Sequence, residues 1–447
     1  MNPLKILTAM TLAAGLLAAT VAPAQAETVP GGRYGRVELT RPTGPMRAFI
    51  VLFSDRGGWD AADQQAAEML ARQGAMVVGV DTERYARSLA TLHEACHPLV
   101  GDAEGMSHQL EREQPSGGYL SPIAAGVGQG AVLAEHLLAQ APANTLAGIA
   151  ALDPQARLDA RFKPCPADSG LSRGDGLPGF HAVGSRTSAT VPRPGATVAG
   201  KPLPVQYFAA GTSTATALLA LLQPHLPQQV PAHDDVSNLP LIELPAAKPG
   251  EMLALVISGD GGWRDLDKSI AEALQRSGVS VVGLDSLRYF WSSKTPQQTA
   301  DDVARVIQVY GARWHTRTVA LIGYSFGADV MPFVYNRLPP SQREQVSLLA
   351  LLGLAHTADF QIRVTGWLGL PASAAALPIT PEIGAIPSAL IQCFYGEDES
   401  DTLCPSLEKS GATVIRTGGG HHFGRDYASL EQAILNDWRK QAATRQP

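Results

Sequence analysis

The sequence predicts an α/β chain of two tandem domains, each a mostly parallel sheet with helices on both faces. Three observations carry this reading: a long internal repeat in fixed register, strands that alternate with helices inside each copy, and a sharp strand–turn–helix in the second copy. The 447 residues are enough for two domains of about 200 residues, each able to bury a core of its own.

The repeat comes first because it sets the organisation. Ala48-Phe-Ile-Val-Leu-Phe-Ser-Asp-Arg-Gly-Gly-Trp59 returns as Met252-Leu-Ala-Leu-Val-Ile-Ser-Gly-Asp-Gly-Gly-Trp263, an offset of 204 residues (263 minus 59). Without a gap, Gly74 falls on Gly278, Val77-Val-Gly79 on Val281-Val-Gly283, Asp81 on Asp285, and Arg84-Tyr85 on Arg288-Tyr289. Residues 253–257 form an apolar run of the length of a strand buried on both faces. Apolar residues at 270, 271, 273 and 274 have helical spacing that Gly278 ends, and 279–284 is the next apolar strand. Strands alternating with helices imply a parallel sheet covered on both sides. The polar stretch His233 to Asn238 is the expected join, giving a first domain at 27–235 and a second at 236–447. Residues 170–203, rich in Gly, Pro, Ser and Thr, read as a long surface loop.

Residues 1–26 read as a secretory signal. Lys5 precedes an apolar run from Ile6 to Ala22, and Ala24-Gln-Ala26 offers small residues for cleavage after Ala26. The mature chain is expected in the periplasm, with no second apolar segment long enough to span a bilayer. The formal charge of −6 becomes −7 once Lys5 is removed, and no basic run points to nucleic acid. Cys96, Cys165, Cys393 and Cys404 suit disulfides in an exported chain. If each domain folds alone, the pairs are Cys96–Cys165 and Cys393–Cys404. No CxxC or paired His–Cys spacing exists, so neither a metal nor another cofactor is expected.

The second copy carries the chemistry. Val319-Ala-Leu-Ile-Gly-Tyr-Ser-Phe-Gly-Ala-Asp-Val330 is an apolar strand running through G-x-S-x-G into a helix, the nucleophile elbow of α/β-hydrolases. Ser325 is the expected nucleophile, and in that fold the acid and then the histidine follow it in sequence. The loop Gly396-Glu-Asp-Glu-Ser-Asp-Thr-Leu-Cys-Pro405 occupies the place of the acid. Counting forward from Gly396 favours Glu399, counting back from Pro405 favours Asp401, and Asp398 lies between them; Asp401 is the first choice. In Gly418-Gly-Gly-His-His-Phe-Gly424, His422, directly before Phe423, is preferred to His421 as the base. An oxyanion hole needs two backbone N–H groups: Phe326 supplies one, and Asp260 or Gly261 in the Gly-rich turn the other. Asp329, one helical turn past Ser325, is either a receptor for a cationic group or a structural acid. The first copy lacks these parts. Gly126-Val-Gly-Gln-Gly130 puts Gly128 in the place of the nucleophile, and Tyr207-Phe-Ala-Ala-Gly211, read as the place of the acid loop, leads to no carboxylate.

Ser258-Gly-Asp-Gly-Gly-Trp263, Gly323-Tyr-Ser-Phe-Gly-Ala-Asp329, Cys393-Phe-Tyr-Gly396 with Cys404, and Gly419-Gly-His-His-Phe423 resemble the bacterial virulence proteins VirJ and AcvB. The degenerate first copy makes the whole chain look like the longer AcvB arrangement. The resemblance implies a periplasmic serine hydrolase of the aminoacyl ester in lysyl- or alanyl-phosphatidylglycerol, with a membrane phospholipid as its partner. Two alternatives stand beside it: a periplasmic binding protein associated with type IV secretion, in contact with the machinery or its secreted proteins, and a general serine esterase acting on soluble esters.

Overall fold

The computed structural model describes residues 26–42, 44–114, 119–142, 144–166, 179–187, 197–198, 201–202, 204–226, 236, 239–248, 250–363 and 375–444. The signal segment up to residue 25 and nearly all of the expected join at 233–238 lie outside them.

Two separate sheets form. In the first the order of strands is Ala26–Pro30, Arg36–Thr40, Ala75–Val80, Ala48–Phe53, Ile123–Val127, Gly148–Leu152, Phe180–Ser185, Val205–Tyr207. In the second it is Leu241–Leu244, Ser280–Leu284, Met252–Ile257, Thr318–Tyr324, Val346–Leu352, Ile391–Gly396, Thr413–Thr417. Apart from antiparallel strands at one edge, Ala26–Pro30 and Arg36–Thr40 in the first and Leu241–Leu244 in the second, each sheet is parallel. The second sheet follows the strand order of the first with its leading strand omitted. This is the α/β-hydrolase arrangement written twice. Both central strands, Ala48–Phe53 and Leu253–Ile257, are buried throughout, with clusters of apolar residues on each face of each sheet.

The repeated residues have structural causes. A Cβ on Gly79 would lie 2.3 Å from the Trp59 ring, and one on Gly283 2.2 Å from the Trp263 ring. Each Trp therefore packs flat on its sheet only because its partner is Gly. Asp81 and Asp285 cap the helices that follow them, accepting from the N–H of Arg84 (2.8 Å) and Arg288 (3.2 Å). Tyr85 and Tyr289 donate to Asp102 and Asp302.

Two expectations change. Residues 170–203 are not one loop: Phe180–Ser185 is a full strand within them, pairing with Gly148–Leu152. Its short apolar alternation is masked by the Gly and Pro residues around it. Consequently Val205–Tyr207 is the last strand of its sheet, and the segment after Tyr207 sits where the second copy has its histidine loop, not its acid loop. The acid position of the first copy follows Ser185.

Disulfides join Cys96 to Cys165 and Cys393 to Cys404. No described helix is long and apolar enough to cross a membrane, and among the described residues no cluster of three His, Cys, Asp or Glu could hold a metal ion.

Candidate active site

The strand Thr318–Tyr324 ends in Ser325, whose φ of 51° and ψ of −120° lie in a region that residues with a side chain rarely occupy. The helix Phe326–Arg337 starts at once. Two glycines make room for this turn. A Cβ on Gly323 would come within 2.4 Å of the Gly327 carbonyl oxygen, and one on Gly327 within 2.1 Å of the Ile257 oxygen. The elbow thus holds the serine oxygen at the tip of the strand, beside the positive end of a helix.

His421, not His422, reaches the serine. Its Nε2 lies 2.8 Å from Ser325 Oγ, and its Nδ1 lies 2.5 Å from Glu399 Oε1. A carboxylate only accepts, so the Nδ1 proton donates to Glu399 and Nε2 is left to accept the serine hydroxyl. Glu399 is nearly buried, with 9% of its side chain exposed. Its second oxygen accepts from the Gly396 N–H at 3.1 Å, which holds the carboxylate in one orientation. The disulfide Cys393–Cys404 ties the strand before this loop to the helix after it.

The first choices for base and acid are therefore both corrected. His422 turns its Nδ1 to the Tyr324 hydroxyl at 3.0 Å. Asp401 is 84% exposed and faces His356 at 3.7 Å, away from His421. Asp398 is exposed, and its backbone N–H donates to the Gly419 carbonyl. The glycine run decides the matter. A Cβ on Gly396 would meet the Gly420 oxygen at 2.2 Å, so the loop lies directly on the end of the strand. That seat delivers His421 over Gly353, where an added Cβ would be 2.7 Å from the imidazole. Phe423, buried below, anchors the loop, but its neighbour His422 points elsewhere.

Phe326 opens its helix, so its N–H has no intrahelical acceptor; its ring packs edge-on to Phe290 at 4.8 Å. The Gly-rich turn lies alongside, since a Cβ on Gly259 would be 3.7 Å from Ser325 Cβ. The Gly259 N–H is already engaged, donating to the buried Asp267. The turn closes with the Gly262 N–H donating to the Gly259 carbonyl, and the backbone of Gly261 lies under the Arg264 guanidinium, 2.6 Å from where a Cβ would sit.

Asp329 accepts from the Ala355 N–H at 2.8 Å. Burial drives its pKa well above the usual carboxyl range, and the nearby charges of Asp401, Asp260 and Glu399 push it the same way.

The family model for VirJ, a bacterial virulence protein, matches residues 47–100 and 251–442, more than half of the chain. No curated protein matches the sequence. Among solved structures, the chain is similar to Est1E from Butyrivibrio proteoclasticus, at 13% identity and a TM-score of 0.34 over 45% of this chain and 93% of that one. It is also similar to XC6422 from Xanthomonas campestris, an α/β serine hydrolase without a lid, at 17% identity and a TM-score of 0.29 over 47% and 97%. An α/β serine hydrolase homologue from Coxiella burnetii matches at 14% identity and a TM-score of 0.30 over 44% and 90%.

Proposed function

Because the chain belongs to the VirJ family of bacterial virulence proteins, we propose that it is an exported serine hydrolase that cleaves the aminoacyl ester of aminoacyl-phosphatidylglycerol. Residues 236–447 act as the catalytic domain and 27–235 as a non-catalytic copy. The observation that carries the reading is the unbroken chain of contacts from Ser325 through His421 to Glu399.

The chemistry follows from that chain. Ser325 Oγ attacks the ester carbonyl as His421 Nε2 takes its proton, and Glu399 stabilises the resulting imidazolium. The oxyanion is met by the Phe326 N–H and by the turn after Gly259. His421 then gives the proton to the departing glycerol oxygen of the lipid, leaving an aminoacyl-serine. Water, activated by the same histidine, releases the amino acid.

The substrate class rests on the family resemblance and on charge. An ammonium beside the carbonyl withdraws electrons and makes the ester labile. Asp329 and Asp260 are the carboxylates assigned to that ammonium: burial first, and neighbouring carboxylates second, raise the pKa of Asp329, and a cation beside it would favour its ionised form. The net charge of −6 favours modest, salt-tolerant contact with an anionic membrane over a strong electrostatic one. Two disulfides suit an oxidising compartment.

The test is direct. Purified protein releases lysine or alanine from aminoacyl-phosphatidylglycerol and acts at least about tenfold more slowly on the same lipid with its amine acetylated, one ammonium contact being worth about 1.4 kcal/mol or more. Equal rates on both lipids rule out recognition of the ammonium. No release from either removes the lipid ester as substrate.

A further inference from the structure

The non-catalytic copy does not merely accompany the catalytic one: it grips the turn that faces the serine. Asn144, in a left-handed turn of the first copy with φ 61°, donates from its side chain to the Trp263 carbonyl at 2.5 Å. Glu104 pairs with Arg264 at 2.8 Å, and the Thr145 hydroxyl accepts from the same guanidinium at 3.2 Å. Arg264 in turn covers the backbone of Gly261. Trp263 and Arg264 directly follow Gly259-Asp-Gly-Gly262, the turn beside Ser325. That turn contains three glycines, so its own sequence restrains it little. Its far end is held from outside.

We propose that Glu104, Asn144 and Thr145 of the first copy are positioning residues, which fix the oxyanion turn of the second copy and keep its N–H groups aimed at the developing charge. This inference rests on the hydrolase reading above, and it gives the first copy a task that needs no site of its own. An oxyanion donor must sit within hydrogen-bond range of an atom that becomes charged only in the transition state. Loosening the turn therefore weakens the transition state without loosening the bound substrate. Among the described residues, these contacts reach the turn through Trp263 and Arg264.

The experiment uses full-length protein carrying Asn144→Ala, Glu104→Gln or Thr145→Val, with circular dichroism and thermal melting to confirm folding. For the first two, the expected result is a kcat about 10- to 100-fold lower with KM within about twofold of wild type. A similar drop should appear in the rate at which a fluorophosphonate probe labels Ser325, because that reaction also places charge on an oxygen in the hole. Thr145→Val removes only one hydroxyl and gives a smaller drop of the same kind. It keeps the test open if either of the others fails to fold. Folded variants with wild-type kcat and labelling rate overturn the inference, as does a rise in KM with kcat unchanged. Ser325→Ala in the same assay separates the two ideas. If it retains turnover, the hydrolase reading falls; if it is inactive while the folded variants turn over normally, only the positioning role falls.

Discussion

At residue 128 the backbone bends almost as it does at residue 325: φ 56° and ψ −111° against φ 51° and ψ −120°. Both turns are flanked by glycines that could not be anything larger. A Cβ on Gly130 would strike the Phe53 oxygen at 2.3 Å, as one on Gly327 strikes the Ile257 oxygen at 2.1 Å. The first copy thus has the whole elbow, with a glycine and no side chain where the second has Ser325. What fills the gap is Asp55, at the position of Gly259 in the second copy. Its carboxylate accepts from the Gln129 N–H at 2.8 Å and from the Gln155 side chain at 2.9 Å. Gln129 corresponds to Phe326, so a resident carboxylate occupies the place of the oxyanion. On the other side, Asp153 stands where the second copy has Gly353, and it pairs with Arg186 at 2.6 Å. A side chain at that position is what the second copy excludes, since a Cβ on Gly353 would lie 2.7 Å from the His421 imidazole. The same fold thus carries two different turns, one presenting a serine and the other closed by side chains that satisfy the donors around it.

The largest test of this contrast is at the nucleophile. Ser325→Ala in the full chain should lower turnover by about 10⁶, and a fluorophosphonate probe on wild-type protein should label Ser325 and no residue of the first copy. A variant retaining about a tenth of wild-type activity would remove the distinction between the copies. Next comes the assignment of base and acid. His421→Ala should cost nearly as much as losing the serine, and Glu399→Gln about 10⁴. His422→Ala and Asp401→Asn should stay within about tenfold of wild type. If the His422 and Asp401 variants are the inactive pair, the contacts seen here are not those of the working enzyme.

The division between what the sequence discloses and what it hides follows physical lines. The repeat and the elbow at Gly323, Ser325 and Gly327 could be read because each depends on neighbours in the chain; the disulfide pairs followed from giving each copy its own two cysteines, and the order of serine, acid and histidine from the pattern of the fold. The choice between His421 and His422, or between Glu399 and Asp401, could not. It is made by the carbonyl of Gly420 seating on Gly396, a contact between two loops that no periodicity encodes. The strand Phe180–Ser185 was hidden by its Gly- and Pro-rich surroundings, and that shifted the matching of Tyr207 by one strand. Asp55 did leave a signal: a carboxylate in a turn whose other copy has Gly. The contacts of Asn144 and Glu104 with the second copy left none.

A smaller effect probes how tightly the pseudo-elbow is closed. Gly128→Ser should not create a nucleophile, since its Cβ would fall 2.1 Å from Asp55 Oδ1. Overpacking and the positive φ together should destabilise the protein by about 3 kcal/mol. Adding Asp55→Gly should recover much of that stability while hydrolysis by the first copy stays absent, because Asp153 and Arg186 still fill the place of the base. This is measured by melting the two variants and by mapping probe adducts in a Ser325→Ala background. Labelling at residue 128 would show that the plug alone keeps the first copy silent.

A last test concerns the helix Leu99–Arg112, one of the parts of the first copy that meet the second. Its last turn carries Glu111, 2% exposed, accepting from the Leu120 N–H at 2.8 Å. Burial lifts its pKa to about 8, against the pull of that N–H and of Arg288 from the second copy. An unfolded chain ionises this carboxyl near its ordinary value of about 4.3. Between the two values the folded state holds more protons than the unfolded one, so this group's contribution to stability falls as pH rises and levels off above about pH 8. His108 on the same helix works in the opposite sense. Burial, with Arg264 and Arg112, lowers its pKa to about 3, which favours the folded state as pH rises towards the ordinary histidine value. Wild-type melting shows the sum of these groups, so the difference between wild type and Glu111→Gln isolates the carboxyl. The amide keeps an acceptor for Leu120 but cannot ionise. Its advantage should be about 1 kcal/mol at pH 5 and grow by about 3 to 4 kcal/mol by pH 8, a shift of several degrees in Tm. An advantage that stays constant across that range would mean Glu111 does not titrate there, and that the two copies meet through a wetter boundary than the buried contacts of this helix imply.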